Sequence, residues 1–352
     1  MAYTTIDDPS AYFQTTIYSG TGSEQVITHG GNSDLQADWV WIKRRDATNN
    51  HRLTDVVRGA TKEIYSDLAD AEDTQAQGLK SFASDGFTLG TNAGYNASSA
   101  TYVSWNWKAG TSFTNDASST SVGTIDSSGS TNQTAGFSIV SWTGTGSAGT
   151  VAHNLGSVPE WYIIKNRGDA NNWAVYHQKS NASPEDYALY LDGNSAATDD
   201  SGLANDTAPT STVFSLTDGN YGNQSSHTYI GYFFSEVQGY SKFGTYKGNG
   251  STDGTFVYLG FKPAFVMWKR TDTTNNWMMG DNKQTPFNPQ DNMMRADLAN
   301  AQLSTNPVDF LSNGFKIRLS GNAFNNSSGT YIYMAFAESP LVSSTGVPAT
   351  AR

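Results

Sequence analysis

Four short signatures occur in the same order three times along this chain. The first is "YSGTGS", "WTGTGS" and "YKGNGS", starting at Tyr18, Trp142 and Tyr246. The second is an apolar element with an aromatic residue at Trp39, Trp161 or Phe265. The third is "VWIKRRDATNNH", "IIKNRGDANNW" and "VMWKRTDTTNNW", in which a Lys is followed six residues later by an Asn pair. The fourth is "NASSATYVSWNWKAG", "NQSSHTYIGYFFSE" and "NNSSGTYIYMAFAE", which align on Tyr102, Tyr229 and Tyr331. The first Gly lies 23, 21 and 21 residues before the motif Lys. Chance does not order four signatures alike three times, so the sequence predicts a triplication.

The repeat length decides what kind of triplication. Solenoid and propeller units run about 20–50 residues because each needs neighbours to bury its core. A unit of about 100 residues can bury a core alone. The expected layout is an N-terminal arm (1–11), unit one (12–109), a linker (110–135), unit two (136–238), unit three (241–339) and a C-terminal tail (340–352). The linker, "GTSFTNDASSTSVGTIDSSGSTNQTA", is Ser/Thr/Gly-rich and reads as a flexible connection or surface excursion.

Within a unit the signals are for strands. "GFSIVSWTG" and "WYIIKNR" are β-branched and aromatic, and "TYIGYFF" alternates with period two. Only "DVVRGATKEIYSDLADAEDTQ" and "DNMMRADLANAQL" could be helical, as short helices or loops at most. The fold class expected is all-β, with three tandem β-sandwich or jelly-roll-like repeats.

Composition narrows the function. The 352 residues carry a net charge of −11, which argues against nucleic acid as a main partner. There is no cysteine, so disulfides and Cys-ligated metals are excluded. No apolar run is long enough for membrane insertion, and "MAYTTIDDPSAYF" is not a secretory signal. No nucleophile elbow, His-Glu-x-x-His helix or phosphate-binding loop occurs, so no catalytic residue, metal ligand or cofactor is assigned. His29 and His153 align, but the third copy has Val257, which argues against a shared metal or catalytic site.

The candidate binding or turn residues are therefore the motif ends: Asn49, Asn50 and His51; Asn171, Asn172 and Trp173; Asn275, Asn276 and Trp277. Turn chemistry favours a strand–turn–strand, because Asn tolerates left-handed backbone and bonds its own main chain. A sugar- or ion-binding loop is the alternative. The tryptophans exceed what three small cores usually hold, so any left exposed would be stacking platforms or interface anchors.

"DWVWIKRRDATNNHRLTDVVRGATKEIYSD" with "GLKSFASDGFTLGTNAGYNASSATYVSWNWKAG", and "GFSIVSWTGTGSAGTVAHNLGSVPEWYIIKNR", resemble an uncharacterised domain family of tailed marine bacteriophage virion proteins. The resemblance covers most of residues 12–238, and unit three follows by internal similarity. It implies a non-enzymatic virion structural protein, a tail fibre or receptor-binding appendage touching a host-surface glycan or outer-membrane protein. A capsid or tail decoration protein and a polysaccharide-degrading tailspike are the other readings. Other virion proteins are the expected partners, the expected assembly is a homo-oligomer with a trimer favoured, and the expected location is the virion, released by lysis.

Overall fold

The computed structural model describes residues 3–219 and 221–349, and it is all-β, with the strands of every sheet paired antiparallel. One four-strand order recurs. In the first segment it is Phe13–Ser19, Thr101–Trp107, Trp39–Arg44, Arg52–Asp55. In the second it is Phe137–Thr143, Thr228–Phe234, Trp161–Asn166, Ala174–His177. In the third it is Ser241–Lys247, Thr330–Pro340, Phe261–Arg270, Met278–Asp281. The register recurs too: Tyr102 lies opposite Tyr18 and Arg44, Tyr229 opposite Trp142 and Asn166, Tyr331 opposite Tyr246 and Arg270.

The Gly-rich signature turns for a steric reason. Gly22, Gly146 and Gly250 have φ of +73°, +73° and +71°, a region L-residues with a side chain rarely enter. The loop is then strapped by a fully buried Asn of the fourth signature. Asn96, Asn223 and Asn325 accept from the amides of Thr21, Thr145 and Asn249 at 2.7, 2.8 and 2.9 Å. Two of the four repeated signatures thus exist to bond each other.

Each main sheet has two buried faces. One packs on a smaller sheet: Gln25–Ile27, Gly86–Leu89 and Leu79–Ala83 in the first segment, and Gly149–Ala152 with Val213–Leu216 in the second. In the third, Phe256–Tyr258, Gly314–Ile317 and Leu303–Leu311 continue the main sheet, which curls round its own core as an eight-stranded near-barrel. These give three local cores, around Tyr102, Tyr229 and Tyr331.

The opposite faces of all three sheets meet in a single core. Trp39, Trp41, Trp105 and Trp107 from the first segment pack there with Phe137, Trp161, Trp173 and Phe234 from the second, and Phe243, Phe265, Trp277 and Phe336 from the third. Trp39 stacks on Tyr232 with centroids 4.3 Å apart, and Phe13 stacks on Phe336 at 5.2 Å. Burial of one such side chain is worth roughly 1.5–3 kcal/mol. This shared core accounts for the tryptophan surplus. All nine tryptophans are buried, none more than 3% exposed, so none is left as a stacking platform.

Two further expectations change. The Ser/Thr-rich stretch 110–135 is ordered structure: Thr111–Asn115 and Ser127–Asn132 add two strands to the edge of the second sheet. Polar composition misled there because Thr111–Asn115 is a largely exposed edge strand, while Ser127–Asn132, paired on both sides, buries Ser, Gly and Thr in place of apolar residues. Neither candidate helix forms. Lys62–Glu63 and Asp73–Thr74 pair as short strands in the first stretch, and Gln290–Arg295 is a strand in the second. The termini are docked where described: Ile6 joins the shared core, Tyr3 Oη donates to Gly260 O (2.7 Å), and the Ser344 amide donates to Asp7 Oδ1 (2.6 Å).

Candidate functional site

Each Lys–Asn–Asn motif connects two paired strands: Ile42 lies opposite Arg52, Ile164 opposite Ala174, and Trp268 opposite Met278. Its side chains do a second job, because each motif grips the neighbouring segment. Lys43, Lys165 and Lys269 are fully buried. Lys43 Nζ donates to Asn49 O (2.7 Å) in its own motif and to Ala299 O (3.0 Å) in the third segment. Lys165 Nζ donates to Asn171 O (2.8 Å) and to Ala69 O (2.8 Å) in the first. Lys269 Nζ donates to Arg270 O (2.7 Å) and to Asn194 O (3.3 Å) in the second.

The residue after the Asn pair repeats this pattern. Trp173 Nε1 donates to Tyr65 O at 2.7 Å, and Trp277 Nε1 to Tyr190 O at 2.8 Å. His51 Nε2 lies 2.8 Å from Arg295 O. The Trp41 indole donates to His51 Nδ1 (2.8 Å), which fixes the proton on Nε2 and makes that nitrogen the donor to Arg295. The amides of Asn49 and Asn275 donate to Ala299 O and Asn194 O, and those of Glu72, Ala197 and Gln302 donate to Arg167 O, Thr271 O and Arg45 O. First grips third, second grips first, third grips second: the contacts close a ring.

The gripped segment is itself anchored by a carboxylate. Asp67 Oδ1 accepts from the His51 amide (3.0 Å), Asp192 Oδ1 from Trp173 (3.0 Å), and Asp297 Oδ1 from Trp277 (3.1 Å). Asn276 Nδ2 adds a bond to Asp297 Oδ2 at 2.7 Å. Burial penalises every charge here. It lowers all three lysines to about 8 and raises Asp67 and Asp297 to about 6; Asp192 moves up for the same reason. His51 is held well below its usual value by burial and by Lys43 beside it.

The nine candidate residues are therefore not gathered into one site. The structure distributes them over three clasps, in which Asn49, Asn171 and Asn275 contribute main-chain groups, Asn276 a side chain, and His51, Trp173 and Trp277 ring N–H donors. Asn172 is exposed and Asn50 half-buried. Asp67, Asp192 and Asp297 escaped the sequence reading because they follow the motif Lys by unequal intervals. The signal was there in "YSDLAD", "YLDGNS" and "RADLAN".

Two of the other histidines bond neighbouring groups of their own segments. His29 Nδ1 meets Thr16 Oγ1 at 2.8 Å, and the Leu155 amide donates to His153 Nδ1 at 3.2 Å. Among the described residues no group of three His, Asp or Glu side chains could hold a metal ion.

No curated protein and no solved structure matches this chain. A family model does: residues 8–340 match the Domain of unknown function DUF7483, and the chain belongs to that family.

Proposed function

We propose that the chain is three copies of one β-sandwich unit closed into a ring, and that it is a non-enzymatic structural protein of a tailed-phage particle. Within the particle it forms a tail fibre or receptor-binding appendage that meets the host surface, a glycan or an outer-membrane protein. The observation that supports this reading is the use made of the recurring chemistry-bearing groups. Lys43, Lys165, Lys269 and their partner carboxylates are committed to bonding main chain across and within the clasps. Such a ring resists opening without disulfides, which suits a protein held outside a cell. The sequence resemblance to phage virion proteins points the same way. A homotrimer is part of the proposal and would assemble through the outer surfaces, since the shared core is already closed within one chain.

Purified particles of a phage encoding this chain test the proposal. Mass spectrometry and a cryo-EM reconstruction should place a few copies at the tail. Many copies spread over the capsid shell would replace the appendage with a decoration protein. Absence from particles, or release of oligosaccharides from host glycans by the purified chain, would overturn the non-enzymatic virion reading.

A further inference from the structure

The three segments are not equivalent where they meet. At the junction of the first and third lies a cleft of about 330 Å³, lined by Phe13, Thr15, Gly30, Ala264, Lys283 and Pro286 among others. Small-ligand sites begin at about this size and combine an apolar floor with a few polar groups. The register locates the asymmetry. Thr15, Ile139 and Phe243 occupy matching positions, opposite Trp105, Tyr232 and Met334. The second and third segments bury a large apolar side chain there. The first has a threonine, 5% exposed, whose hydroxyl makes no hydrogen bond. An unmet buried hydroxyl is unfavourable, and Thr15 lines the cleft, so turning its side chain towards a polar ligand seated there would satisfy a group that no protein atom meets.

The rim supplies a second, independent observation. Phe287, next to Pro286, is 76% exposed, the most exposed large hydrophobic side chain among the described residues. Its loop is firmly built. Asp281 Oδ1 accepts from the Lys283 and Gln284 amides, and Asn288 exchanges two hydrogen bonds with the main chain of Phe310, at 2.7 and 2.9 Å. A rigid loop that holds a phenyl ring in water beside a half-polar cleft has the form of a stacking platform. An aromatic face attracts polarised C–H groups through its quadrupole. The ligand with such a C–H face and polar edges is a pyranose.

We propose that this cleft binds one sugar residue of a surface glycan, with Phe287 stacking on the next residue of the chain. This deepens the host-contact reading and rests on it for the source of the glycan.

Saturation-transfer NMR on the full chain, with galactose, N-acetylglucosamine, galacturonic acid and their disaccharides as probes, tests it. At least one sugar should receive saturation. Gly30→Trp should abolish the transfer without changing the thermal melt, because a Cβ at Gly30 meets no atom within 4 Å. Phe287→Ala should leave monosaccharide binding unchanged and weaken the disaccharide roughly threefold to tenfold. No transfer to any probe, full transfer in Gly30→Trp, or an effect of Phe287→Ala on self-association alone would each overturn the proposal. The two readings fail separately. Equal adsorption of wild type and Gly30→Trp to host cells removes the cleft's role and leaves the appendage. Sugar binding by a chain absent from particles does the reverse.

Discussion

Replacing Lys165 by Met isolates one clasp. Met keeps most of the apolar stem but removes the donor to Ala69 O and Asn171 O, both at 2.8 Å. Two half-buried carbonyls then lose their donor, and the Asp192 carboxylate loses the positive charge near it. Removing one partner of a buried charged cluster costs roughly 3–5 kcal/mol, which outweighs the relief of no longer burying an ammonium. The pH dependence gives the sharper check. Burial lowers the folded-state value from 10.5 to about 8. Between those pH values the unfolded chain binds a proton that the folded chain has released, so stability rises with pH across the window. Only the wild type has this term. Its advantage over Lys165→Met should therefore grow between pH 8 and 10.5, by up to about 3 kcal/mol. Urea unfolding of both proteins at pH 7, 8, 9 and 10 measures the difference. A gap that stays flat or narrows with rising pH would refute the desolvated-ammonium account of the clasp.

Three further outcomes follow from the same contacts. His51→Trp restores the residue of the other two clasps but strips Trp41 Nε1 of its acceptor, so it should destabilise alone and be rescued by Trp41→Met, the residue at the matching position 267; a double-mutant cycle should show coupling of about 1 kcal/mol or more. Trp277→Phe should cost about 1 kcal/mol more than Trp161→Phe by thermal unfolding, because Trp277 Nε1 bonds Tyr190 O whereas Trp161 Nε1 has no partner. Arg58→Met should cost about 3–5 kcal/mol, since it leaves the fully buried Asp55, 2.5 Å from Arg58 Nε, without its cation.

The sequence made the local pattern legible and hid the long-range one. Strand content followed from β-branched runs, which act within a few residues. The connection between paired strands was expected too, but none of the six motif Asn residues adopts the left-handed backbone that argued for it, and the bends fall at 45–47, 167–169 and 271–273, before each pair. The clasps could not be read this way. Lys165 bonds a carbonyl 96 positions away and His51 one 244 away, and a main-chain acceptor leaves no mark on residue identity. Two clues did carry the information. The first was the tryptophan surplus, which the shared core absorbs. The second was the exchange of Trp for His at position 51, which tracks the Trp41 indole: the matching positions 163 and 267 are Ile and Met, which need no acceptor. The strands at 111–115 and 127–132 were missed because their Ser, Thr and Gly residues carry no apolar alternation.

Hydrogen exchange tests ring closure most directly. The amides of Glu72, Ala197 and Gln302 each cross one junction, to Arg167 O, Thr271 O and Arg45 O, all at 2.9 Å. If the three segments form one cooperative body, all three amides should exchange only through global unfolding, with the same free energy and denaturant dependence as the core amides of Trp105, Tyr232 and Met334. Exchange of any one of them at markedly lower free energy than those core amides would mean that a junction opens by itself, and would contradict the closed ring.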